Sequence, residues 1–219
     1  TFAYDINRGL FILSDGASES YDSKTFAQMI CKKFMRKPNI TAKWIRNLVE
    51  EYASTNPIPM DSWSKAAAYE RGSFATILCA MVLFSKEEIR VLAIGDSQVF
   101  LLDGDKVVRK FPNKDSEDFQ KRPSLISTIF EHNNFILEHN FFEKHTRMWS
   151  INHYANPILL CMTDALAEWS MKKTEVGLPK WSLLSEIDAN DFQEVVREGW
   201  TNKELRKDDI TLVRIVFNR

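Results

Sequence analysis

Residues 158–166 have the sequence Ile-Leu-Leu-Cys-Met-Thr-Asp-Ala-Leu. An apolar run that stops at Thr-Asp predicts a buried strand with a carboxylate, Asp164, just after its end. Three other aspartates also lie at the ends of apolar runs. Asp15 and Asp96 each follow such a run, and Asp208 precedes another. Antiparallel neighbours place the exit of one strand beside the entry of the next. These four carboxylates can therefore converge on one rim of a sheet.

The hydrophobic pattern around these runs predicts an α+β protein. Apolar residues recur at helical spacing in four segments, at about 23–35, 42–52, 165–171 and 189–199. Strand-like runs cover residues 10–14, 74–84, 89–94, 99–102, 106–111, 135–137, 147–151, 158–162 and 210–217. Short polar turns join the runs in the middle of the chain, which excludes parallel βαβ crossovers there. Antiparallel strands with helices set between them favour a sandwich.

Length and composition indicate one globular domain over residues 1–219. A net charge of -1 argues against a nucleic-acid partner, and no apolar run is long enough to cross a membrane. The three cysteines are odd in number and widely spaced, which is typical of reduced thiols. No charged-then-apolar leader opens the chain, so we expect a cytoplasmic protein.

The sequence lacks the residues that several catalytic and ligand-binding mechanisms require. A cysteine phosphatase needs an arginine six residues after its nucleophile, and none of the three cysteines has one. The sequence has neither a Gly-rich phosphate loop with lysine nor a dinucleotide fingerprint. None of the four histidines forms a zinc-binding pair on a helix. Acid-rich strand ends remain as the candidate chemistry.

Converged carboxylates repel one another unless cations lie between them. Hard oxygen ligands suit Mg²⁺ or Mn²⁺, and a pair of such ions can activate water for attack on a phosphoryl group. Aspartate is also a common turn residue, because its side chain bonds to nearby backbone. For any one of these aspartates alone, a turn role is the simpler explanation.

Five segments in order along the chain resemble motifs of the protein phosphatase 2C family, the metal-dependent protein phosphatases. Each is weak alone, and together they span nearly the whole chain. They are Ser14-Asp15-Gly16 after its apolar strand, Gly72-Ser73, Gly95-Asp96-Ser97, Thr163-Asp164-Ala165 and Lys207-Asp208-Asp209.

The resemblance implies a fold, a site and a reaction. The fold is a four-layer α-β-β-α sandwich of two antiparallel sheets flanked by helix pairs, with a flap within residues 111–150. Asp15, Asp164 and Asp208 are the implied catalytic residues, and the activity is hydrolysis of phosphoserine or phosphothreonine in proteins by metal-activated water. The implied ligands of two Mn²⁺ or Mg²⁺ ions are Asp15, the Gly16 carbonyl, Asp164 and Asp208. A looser third site is implied at Asp96, Asp164 and Glu168.

The chain departs from the family pattern in several places. The family's first strand carries a phosphate-binding arginine and an acidic ligand, and both are missing. The acid would fall just before Thr1, which favours truncation over evolutionary loss. The usual motif residues are replaced at four positions, Ala17, Gln98, Ala165 and Asp209. These changes fit a divergent bacterial-type branch, and they also fit an inactive relative.

Two hypotheses follow. The first is a metal-dependent serine/threonine phosphatase acting on phosphorylated proteins. The second is a catalytically inactive phosphatase-like module that binds a partner protein. Loss of an acid and an arginine weakens both metal and phosphate binding, so an inactive 219-residue chain is compatible with either hypothesis.

Overall fold

A computed structural model describes residues 1–18, 20–58 and 62–217. The strands are β1 (Phe2–Asp5), β2 (Leu10–Leu13), β3 (Phe74–Ala75), β4 (Ile77–Leu83), β5 (Glu88–Ile94), β6 (Gln98–Asp103), β7 (Lys106–Phe111), β8 (Ile126–Ser127), β9 (Thr146–Ser150), β10 (Pro157–Met162) and β11 (Leu212–Val216). The helices are α1 (Ser23–Arg36), α2 (Ala42–Thr55), α3 (Trp63–Arg71), α4 (Phe141–His145), α5 (Asp164–Glu175), α6 (Trp181–Glu186) and α7 (Ala189–Thr201). Short 3₁₀ helices cover Phe84–Lys86, Ser116–Gln120 and Phe130–Leu137.

Contacts divide the chain into two compact units, and the first contains Thr1–Gly95 and Pro123–Ser150. Its main sheet is antiparallel, with strand order β1-β2-β4-β5-β9. Strands β3 and β8 form a separate two-stranded antiparallel sheet. Because β4 and β5 pair along their whole lengths in the interior of the sheet, most of their residues are buried.

Helices α1 and α2 supply the helical part of the first unit's core. Phe26, Ile30 and Phe34 recur every fourth residue of α1 and are fully or nearly fully buried. They pack with the apolar face of α2, which begins where the Thr41 hydroxyl accepts a hydrogen bond from the Trp44 amide at 3.1 Å. Each such side chain stabilises the fold by about 1.5–3 kcal/mol through burial.

The second unit contains Asp96–Arg122 and Ile151–Arg219. Its sheet is also antiparallel, with strand order β11-β10-β6-β7. Helices α5, α6 and α7 pack with this sheet around a core that includes Phe100, Leu160, Leu166 and Trp181. The core ring pair Phe100–Trp181 has its centroids 4.6 Å apart.

The predicted α+β class with antiparallel sheets is confirmed. The four-layer arrangement, the single domain over 1–219 and the flap at 111–150 stay predictions. The strand expected at residues 135–137 is wrong, because these residues belong to the 3₁₀ helix Phe130–Leu137. A run of three apolar residues carries no period, so it cannot distinguish a strand from a helical turn.

Candidate metal centre

Asp164 lies at the junction of a strand and a helix in the second unit. It follows β10 by two residues and is the first residue of α5, with Thr163 as the residue before the helix. A carboxylate in this position is stabilised by the free amide groups and the positive dipole end of the helix. Its side chain is 14% exposed, so part of the carboxylate is shielded from water.

Asp208 reaches the same region because β10 and β11 are antiparallel partners. Their pairing ends at Met162↔Leu212, and the Thr163 amide then donates to the Thr211 carbonyl at 3.2 Å. The Thr163 side chain holds the loop ahead of β11 through two further hydrogen bonds of 3.0 Å each. The exit of one strand and the entry of the next are therefore fixed side by side.

The guanidinium of Arg206 lies between the acids of this region. It forms an ion pair with Asp164 Oδ2, and its Nη2 is 3.6 Å from Asp208 Oδ2. Its Nη1 is 4.0 Å from Glu168 Oε2. One cation thus contacts carboxylates that come from α5 and from the loop before β11.

Glu168 lies one helical turn after Asp164 and is more deeply buried, with 8% of its side chain exposed. Its Oε1 accepts a hydrogen bond from Gln120 Nε2 at 3.0 Å and pairs with Lys172 Nζ at 2.8 Å. A buried carboxylate needs such partners, because losing water without them is costly.

Asp96 belongs to the second unit and is electrostatically coupled to the same cluster. Burial raises the pKa of its carboxyl group above the ordinary value, and the Asp208 carboxylate also raises it. The Arg206 guanidinium lowers this pKa, as does a hydrogen bond from the residue's own backbone amide. An additional cation nearby would favour the ionised form further.

Asp15 and Gly16 belong to the first unit, where backbone contacts hold them firmly. The Asp15 amide donates to Thr76 Oγ1 at 2.9 Å, and the Asp15 carbonyl accepts from the Thr76 amide at 2.8 Å. Gly16 forms an isolated antiparallel bridge with Ala75. A Cβ atom on Gly16 would lie 2.7 Å from the Ser23 carbonyl oxygen, so no larger residue fits without a shift of the backbone.

The donor chemistry of the second unit suits a hard divalent cation. Asp164 Oδ1 is buried and, within the described residues, has no hydrogen-bond partner. A buried carboxylate oxygen of this kind needs a proton donor or a cation. However, no group of three or more His, Cys, Asp and Glu side chains in the described part of the chain is arranged to hold a metal ion. The other oxygen of the same carboxylate, Asp164 Oδ2, is paired with the Arg206 guanidinium.

A family model described as protein phosphatase 2C matches residues 6–206. That match covers most of the 219 residues and includes Asp15, Asp96 and Asp164. The chain belongs to the protein phosphatase 2C family. The family predicted from the resemblance is thereby confirmed, although the fifth motif, at residues 207–209, lies outside the matched range.

Solved structures of phosphatases share the fold of this protein phosphatase 2C chain. A bacterial serine phosphatase is 16% identical with a TM-score of 0.57, and the match covers 95% of this chain and 86% of that one. The serine/threonine phosphatase Stp1 from Staphylococcus aureus is 17% identical with a TM-score of 0.56, and the match covers 96% of this chain and 84% of that one. The catalytic domain of the phosphatase PstP, solved with two manganese ions, is 13% identical with a TM-score of 0.54. That match covers 95% of this chain and 88% of that one. A search of the curated proteins found no match.

Three residues near the acids of this protein phosphatase 2C chain were missed in the sequence: Arg206, Lys172 and Gln120. Lys172 could have been found from the sequence, because a glutamate four residues before a lysine on a helix favours an ion pair. Arg206 could not, since its partner Asp164 is 42 residues away in the sequence. Gln120 is 48 residues from Glu168 and was equally hidden.

Gln98, which replaces an arginine usual in the protein phosphatase 2C family, has a clear structural role. Its side chain is completely buried and makes two hydrogen bonds to the backbone of Asn113, each 2.9 Å long. One is donated by Gln98 Nε2 and the other is accepted by Gln98 Oε1. The amide therefore fixes the segment after β7, a task that needs both a donor and an acceptor.

Proposed function

We propose that the protein is a metal-dependent serine/threonine phosphatase that hydrolyses phosphoserine or phosphothreonine in proteins. The observation that carries the proposal is the meeting of Asp164 and Asp208 around one cation, in a chain of the protein phosphatase 2C family. Acids held together in this way favour a bound positive charge.

The proposed ligands are those that the resemblance to the protein phosphatase 2C family implies. Asp15, the Gly16 carbonyl, Asp164 and Asp208 would hold two Mn²⁺ or Mg²⁺ ions, and Asp96, Asp164 and Glu168 would form a looser third site. The manganese ions of the PstP catalytic domain support this assignment by analogy of fold. When bound, the ions supply a water molecule of lowered pKa and offset the charge of the phosphate.

The protein's own residues would orient and hold the ligand oxygens. The N-terminal end of α5 stabilises the charge on Asp164, and the buried Thr163 hydroxyl fixes the backbone next to Asp208. Gln120 and Lys172 hold the Glu168 carboxylate in one position. Such supporting contacts typically change metal affinity about 10–100-fold.

A phosphorylated protein is the proposed substrate, and the cytoplasm is the proposed compartment. All three cysteines are free and buried, which suits a reducing environment. The helices of the described residues are too short or too polar to cross a lipid bilayer.

Hydrolysis of a phosphothreonine peptide with Mn²⁺ tests the proposal. We expect Asp164→Asn and Asp15→Asn to lower the rate at least about 100-fold, because each removes a charged ligand. Asp105→Asn is the matched control, since Asp105 is exposed in the turn between β6 and β7. Undiminished hydrolysis in both ligand variants would rule the proposal out.

The second candidate is a catalytically silent phosphatase-like module that binds a partner protein. The ion pair between Arg206 and Asp164 favours it, because the acids already have a cation. This candidate predicts that calorimetry of the wild-type protein detects no Mn²⁺ binding up to millimolar concentration. Mn²⁺ binding that Asp164→Asn removes would decide against it.

A further inference from the structure

Arg206 brings a positive charge to the place where the second unit gathers its acids. Its guanidinium contacts the carboxylates of Asp164, Asp208 and Glu168, at distances of up to 4.0 Å. Guanidinium and a divalent cation compete for the same ligand oxygens, because both are attracted to ionised carboxylates. Both cannot occupy this position, since like charges at such separations repel.

We infer that Arg206 is the built-in counter-ion of this carboxylate cluster, and that its displacement sets the protein's affinity for divalent metal. This inference rests on the proposed function insofar as Asp164 and Asp208 are metal ligands. Arg206 is then a positioning residue: in the metal-free protein it keeps the acids together, and it must withdraw when a metal ion binds.

The surroundings of Arg206 allow such a movement. Its backbone is anchored, because Trp200 Nε1 donates a hydrogen bond to the Arg206 carbonyl at 3.1 Å and the preceding Leu205 is buried. Its side chain is 46% exposed, so the guanidinium can move without disturbing a core. A cavity of about 450 Å³ lies beside it, lined in part by Trp200, Lys203 and Glu204. The long side chain therefore has an anchored base and space at its charged end.

The pairing also explains why the metal-free acids stay together. Asp164, Asp208 and Glu168 would carry three negative charges, and Lys172 with Arg206 would supply two positive ones. Without Arg206 only the Lys172 charge would remain close to Glu168, and the aspartates would repel each other. Removing Arg206 should therefore loosen the metal-free protein and, at the same time, leave the oxygens free for metal.

Calorimetric titration with Mn²⁺ tests the inference on the full chain. We expect Arg206→Gln to bind Mn²⁺ at least about tenfold more tightly than the wild type, because the competing charge is gone. Arg206→Lys keeps the charge and should stay near the wild-type affinity. Arg197→Gln is the matched control, since Arg197 is exposed on α7 and its nearest acid is Glu194 at 3.9 Å.

Thermal unfolding without metal gives a second readout that does not depend on activity. In EDTA, Arg206→Gln should unfold at a lower temperature than the wild type, and saturating Mn²⁺ should raise its midpoint by more than it raises that of the wild type. Should Arg206→Gln fail to fold without metal, recovery of its fold on adding Mn²⁺ supports the inference, and no recovery overturns it.

An Mn²⁺ affinity of Arg206→Gln that equals or falls below the wild-type value overturns the inference, and so does absence of binding in both proteins. The outcome is separable from that of the proposed function. Tighter Mn²⁺ binding by Arg206→Gln, together with undiminished phosphothreonine hydrolysis in Asp164→Asn and Asp15→Asn, keeps the role of Arg206 and removes the proposed metal-dependent phosphatase. Hydrolysis of the peptide, with the same Mn²⁺ affinity in Arg206→Gln and the wild type, keeps the phosphatase and removes the role of Arg206.

Discussion

Thr163 and Asp209 are joined by a hydrogen bond of 3.0 Å, in which the Thr163 hydroxyl donates to the Asp209 carbonyl. The same hydroxyl accepts a hydrogen bond from the Thr211 amide, also at 3.0 Å. Thr163 is 1% exposed, so water does not replace either bond. The residue next to Asp164 is thereby tied to the residue next to Asp208.

Thr163→Val should reveal how much this tie contributes. Valine has nearly the same shape but leaves the Thr211 amide without an acceptor, so we expect a loss of about 1–3 kcal/mol in the free energy of unfolding. Under the proposed function, Mn²⁺ binding should also weaken about tenfold or more. Urea unfolding and calorimetry measure the two effects.

Thr163→Ser keeps the hydroxyl and should retain most of both properties. Thr201→Val is a surface control, because Thr201 is exposed at the end of α7 and donates only to the Arg197 carbonyl. Equal stability of the Val and Ser variants at position 163 would contradict a role for the hydroxyl.

Gln98→Leu should destabilise the second unit. The substitution removes a fully buried side-chain amide and leaves the backbone N–H and carbonyl of the half-buried Asn113 without their partner. We expect a loss of about 2–4 kcal/mol, the cost of two unmet polar groups. Gln193→Leu on the exposed side of α7 should change the free energy of unfolding by less than about 0.5 kcal/mol. Similar urea midpoints for the two variants would show that the Asn113 contacts contribute little.

Much of the fold could be predicted because its elements have strong local patterns. Phe26, Ile30 and Phe34 mark α1 by their spacing, and the apolar run of β10 marks a buried strand. Helix α3 was missed because none of its residues is buried, so its sequence has no apolar face to detect.

The candidate site also contains some residues that could be predicted from the sequence and others that could not. Asp164 and Asp208 could be placed at strand ends from their own neighbours in the sequence, and antiparallel pairing explains why those ends meet. The Arg206 guanidinium between them could not be placed from its neighbours in the sequence. The position of a long, half-exposed side chain depends on partners far away in the chain. Gln120 reaches Glu168 from a 3₁₀ helix that has no detectable period.

Gly95→Ala should cost more than a positive backbone angle alone explains. Gly95 precedes Asp96 with φ of +102°, and an added Cβ would lie 2.7 Å from Thr76 Cγ2. Gly104 has φ of +62° with open space around it, which makes Gly104→Ala the matched control. We expect a loss of about 1–2 kcal/mol for the control and a clearly larger loss for Gly95→Ala. Equal losses in thermal or urea unfolding would show that the Thr76 side chain moves aside freely.

Stability should fall in alkaline solution because of two buried thiols. Burial raises the pKa of Cys161 from 9.0 to about 12 and that of Cys31 from 9.0 to about 11, and a hydrogen bond with Ser14 partly offsets the effect at Cys31. The folded protein therefore holds these protons more tightly than the unfolded chain. Their contribution to stability is complete below pH 9 and is lost as the pH rises through the folded-state values.

The free energy of unfolding in urea should thus decrease above pH 9, by up to about 1.4 kcal/mol per pH unit for each thiol. Cys161→Ala removes one of the two groups, so its stability should decline less steeply between pH 9 and 11 than that of the wild type. Comparing slopes isolates Cys161 from Tyr52, whose pKa burial also raises to about 12 and which both proteins share. Identical slopes in the two proteins would mean that the Cys161 thiol ionises as readily in the folded state as in the unfolded chain.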